Sequence, residues 1–78
     1  MRAKELRLVV TFHTTVEAMA AERFCKEQGI SGRLIPVPRQ LSAGCGLAWS
    51  APVLESARLR EQLEKGRICW EGWQELNI

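Results

Sequence analysis

The chain is short of cysteine, and the cysteines it has do not pair by spacing. Cys25, Cys45 and Cys69 are odd in number, widely separated and form no C-x-x-C motif. That argues against a disulfide framework and against a soft-metal site of paired thiolates, and it fits reduced thiols in a reducing compartment. No apolar run approaches the roughly 20 residues a membrane span requires. The opening Met1-Arg2-Ala3-Lys4-Glu5 leads straight into a strand-like segment without the apolar core of a signal peptide, so a cytoplasmic protein is expected. Excess charge is scarce too. With 11 basic and 9 acidic residues the net charge is +2, too weak a field to point to nucleic acid by itself. Aromatics are few: two Phe, three Trp and no Tyr. Repeats, linkers and low-complexity segments are absent.

What is present reads as a small soluble fold, 46% hydrophobic and 26% charged over 78 residues, with room for one core. Leu6, Leu8, Val10 and Phe12 alternate with Arg7, Val9 and Thr11, which predicts a strand over 6–12. Thr14 and Glu17 have capping-box spacing at a helix start, and Val16, Met19, Ala20 and Phe24 recur as its expected buried stripe. Gly29 suits the left-handed residue after that helix. A second strand is expected over Gly32 to Ile35, stopped by Pro36 and Pro38, and a third over Gly46 to Ser50. Pro52 fits the first turn of a second helix, with Val53, Leu54, Ala57, Leu59 and Leu63 as its apolar face and the Arg60 stem along the core edge. Gly66 ends it, and Ile68 to Leu76 forms a last strand. The order βαββαβ predicts one α+β domain over residues 1–78. It would be a ferredoxin-like sandwich with a four-stranded antiparallel sheet, order 4-1-3-2, and two helices on one face. Trp70 and Trp73 differ in parity, so one is expected on the helix-free face, where a second copy or partner protein would cover it.

The segment Pro36-Val37-Pro38-Arg39-Gln40-Leu41-Ser42-Ala43-Gly44-Cys45-Gly46 sets a thiol between two glycines, after an arginine in a proline-stiffened loop. Gly44 and Gly46 remove flanking side chains, and Arg39 favours the thiolate, the nucleophilic form. The topology brings this loop to the sheet end where the first helix begins. His13 there is a candidate base, and Thr14 and Thr15 open a turn whose free N–H groups suit an anion. Arg67, at the end of the second helix, falls on the same rim. Cys25, late on the first helix, is expected to be a buried structural residue. Cys69 is expected at the start of the last strand, roughly 10 Å from Cys45 and so beyond disulfide reach. Each candidate also has a plain reading. Cys45 fits a half-buried turn residue, His13 a loop residue, and Arg39 a solvated charge.

Arg33 to Arg39, followed by Ser42 to Ala48, resembles a small bacterial family of selenium/sulfur carrier-like proteins, formerly a domain of unknown function. The most specific shared pattern is P-x-P-R-x-x-S-x-x-C-G-L. Val10-Thr11-Phe12, Ala21-Glu22, Gly29 and Glu71-Gly72 also look like that family, so the likeness spans nearly the whole chain. The resemblance implies a ferredoxin-like carrier, not an enzyme, whose Cys45 would hold selenium or sulfur as a perselenide or persulfide. Its partners would be a cysteine desulfurase as donor and an enzyme of selenium or sulfur metabolism as acceptor, with no cofactor or metal. The alternative is a non-catalytic interaction or regulatory module in which Cys45 is structural. RNA recognition would need base-stacking aromatics on the central strands, where the chain offers only Trp49 and Phe12. A metallochaperone would need paired soft ligands in the first loop, which has His13 and no cysteine.

Overall fold

The computed structural model of the chain describes residues 5–41 and 46–78. The elements run β1 (Leu6–Thr11), α1 (Thr15–Gln28), β2 (Arg33–Pro36), β3 (Leu47–Pro52), a 3-10 turn (Val53–Glu55), α2 (Ser56–Lys65) and β4 (Gly72–Asn77). The four strands make one sheet, order β2-β3-β1-β4, with every hydrogen-bonded pair antiparallel. Read from the other edge, this is 4-1-3-2. The fold is α+β.

The alternation of β1 decides the layers. Leu8, Val10 and Phe12 join Trp49 and Ala51 of β3, Ala18, Ala21 and Cys25 of α1, and Leu59 and Leu63 of α2 in one buried cluster. On the other sheet face, Val9 and Ala48 are fully closed to solvent, and Thr11 and Ser50 nearly so.

Four expectations need correction. The buried stripe of α1 is Ala18, Ala21 and Cys25 with Phe24 beside it, whereas Val16 and Met19 are 77% and 59% exposed and Ala20 is exposed. Small residues let the helix settle close to the sheet, so the chain turns its alanines inward. Pro52 does not open α2. It ends β3, opposite Arg7 and beyond β2, which begins only at Arg33 opposite Ser50. Past that point β3 has no neighbour on one side, so the missing proline N–H leaves no bond unmade there.

The apolar face of α2 narrows accordingly to Leu59 and Leu63; Leu54 is 96% exposed in the 3-10 turn and Ala57 is exposed. Finally, β4 starts at Gly72 rather than Ile68. Trp70 therefore precedes the strand and its parity places it on neither face. Both Trp70 and Trp73 pack against the core, rings 5.0 Å apart and tilted by 55°. Trp73 Nε1 donates to Ser56 Oγ at 3.3 Å, and the Arg60 guanidinium lies 5.9 Å from the Trp73 ring centre with its head in water, as its place beside the core suggested.

Candidate functional site at one end of the sheet

Register brings three connections to one end of the sheet. Thr11, the last residue of β1, pairs with Ala48 near the start of β3 and with Gly72 at the start of β4. Glu71 N also donates to Thr11 O at 2.7 Å. The β1–α1 link, the β2–β3 connection and the α2–β4 loop thus leave the sheet together. That is the rim expected from the order of elements.

The β1–α1 link is the best defined of the three. Thr14 caps α1, its hydroxyl accepting from Glu17 N at 3.1 Å. Glu17 Oε1 reaches back to accept from His13 N at 2.9 Å and stands 3.1 Å from His13 Nδ1. The bond from the His13 backbone N–H, helped by the ring itself, holds the Glu17 carboxyl below its ordinary value. The capping box expected here therefore forms with a shift of one residue: the carboxylate satisfies the N–H before the cap. The sequence reads Glu17 only as a capping residue; the one local signal for its pairing with His13 is their spacing of four. The carboxylate thus lies just ahead of α1, and of the first-turn N–H groups read from sequence as an anion site, that of Glu17 is taken by Thr14. Thr15 is exposed on the first turn.

In the β2–β3 connection, Val37 N donates to Gly46 O at 3.0 Å and Leu41 N to Pro38 O at 3.0 Å, so Arg39 sits exposed in a turn. Gly46 has φ +74°, and a Cβ there would meet no atom within 4 Å. Backbone conformation, not crowding, requires this glycine. Gly44 and Cys45 lie outside the described residues, as do Ser42 and Ala43.

The other two cysteines separate clearly. Cys25 is fully buried on α1, and loss of water pushes its thiol up to about 11. It is a structural residue, as expected from its place on the helix. Cys69 is exposed with a free thiol in the α2–β4 loop, before β4 rather than on it. Arg67, in the same loop, is exposed with φ +56°. Among the described residues no group of three or more His, Cys, Asp or Glu could hold a metal ion. Likewise, no helix is long and apolar enough to cross a membrane.

The family model described as "Putative Se/S carrier protein-like" matches residues 7–75, from β1 into β4. The chain belongs to this selenium/sulfur carrier-like family. Searches of the curated proteins and of the solved structures find no match.

Proposed function

We propose that the chain is a selenium/sulfur carrier whose working thiol is Cys45, held in a ferredoxin-like βαββαβ sandwich with both helices on one face. The family match over residues 7–75 carries this reading. The contrast among cysteines supports it: Cys25 is sealed in the core with a thiol that resists ionisation, which leaves the loop thiols for chemistry.

In the transfer, the Cys45 thiolate attacks the terminal sulfur of a donor persulfide, such as that of a cysteine desulfurase. The donor S–S bond breaks, its thiolate leaves, and a new S–S bond joins the sulfur to Cys45. No net oxidation occurs, and a perselenide donor follows the same course through its selenium atom. Arg39, exposed in the same connection, stabilises the anion. The α1 terminus is a weaker candidate for that role because the Thr14 hydroxyl takes the Glu17 N–H and the Glu17 carboxylate lies just ahead of the helix. With His13 Nδ1 turned to Glu17, its Nε2 is the nitrogen for proton exchange.

The test is intact-mass measurement after incubation with a desulfurase and free cysteine. A gain of one sulfur atom should appear on the wild type and on Cys69→Ser but not on Cys45→Ser. No gain on the wild type, or a gain that follows Cys69, would overturn the assignment. Full pathway activity of Cys45→Ser in the host would favour a regulatory module instead.

A further inference from the structure

The two edges of the sheet are defended very differently. β2 is four residues long, ends on Pro36 and is followed by Pro38 after one residue. Short length and proline both block the addition of a further strand. β4 is six residues long and contains neither proline nor lysine.

The pairing of β4 with β1 shows which backbone groups face outward. Glu5 and Ile78 exchange both hydrogen bonds, Glu5 N to Ile78 O at 3.3 Å and Ile78 N to Glu5 O at 3.0 Å. In an antiparallel ladder such pairs alternate, so Leu76 and Gln74 also bond inward to β1. The N–H and C=O groups of Trp73, Glu75 and Asn77 therefore point away from the sheet, and no hydrogen bond among the described residues uses them.

We propose that this edge pairs with β4 of a second copy of the chain, antiparallel about a two-fold axis at Gln74. Charge and register single out this occupant. With Gln74 opposite Gln74, the outward groups of Trp73 meet those of Glu75 of the second copy, and the reverse contact repeats across the axis. Trp73 and Glu75 share the sheet face that carries α2, because their β1 partners are Val10 and Leu8. The Arg60 guanidinium lies beside the Trp73 ring and is solvent-exposed. Glu75 of the second copy thus arrives next to Arg60, giving two matched opposite-charge contacts. The neighbouring register, centred on Glu75, would set two carboxylates directly opposite and is disfavoured. The antiparallel arrangement sends the two α2–β4 loops to opposite ends, so both rims stay accessible. It does not depend on what Cys45 carries.

Analytical ultracentrifugation of the full chain up to about 1 mM tests this, since so small an interface belongs to the weak class. A concentration-dependent monomer–dimer equilibrium is expected. Glu75→Pro, which removes an outward N–H, should leave a folded monomer by circular dichroism. Glu75→Arg should raise the dissociation constant roughly tenfold, and Arg60→Glu combined with Glu75→Arg should bring it back to within about threefold of wild type. If Glu75→Pro fails to fold, the charge-reversal set decides. A chain that stays monomeric at the top concentration, or a dimer indifferent to these substitutions, overturns the proposal.

Discussion

Gly66 and Arg67 look interchangeable as helix terminators, but space and conformation assign them different tasks. A Cβ on Gly66 would fall 3.0 Å from the Phe24 ring, so the glycine is there for close packing of the helices. The left-handed residue that ends α2 is instead Arg67, at φ +56°. Gly66→Ala should destabilise the fold by about 1–2 kcal/mol through overpacking. Arg67→Gly should stabilise it by about 1 kcal/mol, by relieving a conformation costly for any residue with a Cβ. Urea unfolding midpoints of the two variants should move in opposite directions. Glu17 makes a second prediction. Because its folded-state pKa is depressed, its contribution is complete above its ordinary value of 4.5 and is lost as pH falls through the lower folded value. In Glu17→Gln that share of the acid sensitivity should vanish from a stability-versus-pH profile.

At the scale of elements, both helices end in the same motif. Ile30 N donates to Cys25 O and Gly29 N to Lys26 O; Ile68 N donates to Leu63 O and Arg67 N to Glu64 O. The first ending was legible, because Gly29 stands at the left-handed position with φ +69°. The second was hidden by a glycine one residue early. Helix α1 was legible in its ends but not in its orientation. Val16, Met19, Ala20 and Phe24 spell an apolar stripe, yet the sheet accepts the small side chains of Ala18 and Ala21; Val16 and Met19 are left to solvent, and Phe24 packs at the edge of the core. Accordingly, Val16→Lys and Met19→Gln should each change stability by less than about 0.5 kcal/mol. Ala21→Leu should cost about 1–3 kcal/mol, because the added methylenes have nowhere to go. Thermal or chemical melts of the three variants would reverse this ranking if the stripe read from periodicity were the buried one.

For the molecule as a whole, β1 is the strand on which everything closes. It pairs on both sides, and its Leu8 and Val10 face the core shared by the helices. Native-state hydrogen exchange should therefore find its slowest amides in β1 and in the part of β3 paired to it, near the global unfolding free energy. The amides of β2 should exchange faster, being at a four-residue edge. Uniform protection across the sheet would contradict this hierarchy. The rim was readable from sequence because element order alone decides which connections share a sheet end. The His13–Glu17 pair within it shows in the sequence only as a spacing of four, since a capping box places the carboxylate on the N–H of Thr14 itself, not on that of His13.

Sequence by itself determined the class of fold, the order and number of elements, and the family. Alternation and turn residues are local signals that survive without knowledge of neighbours. It also singled out the Gly-flanked Cys45 segment by its residue types alone. Tertiary structure decided what depends on distance: which face of α1 is buried, that Pro52 ends a strand, that both C-terminal tryptophans face the core. It also decided that the edge of β4 is left with unused backbone groups. Those outcomes follow from packing and register between segments far apart in the chain, where the fit of one surface against another overrides the preference of either.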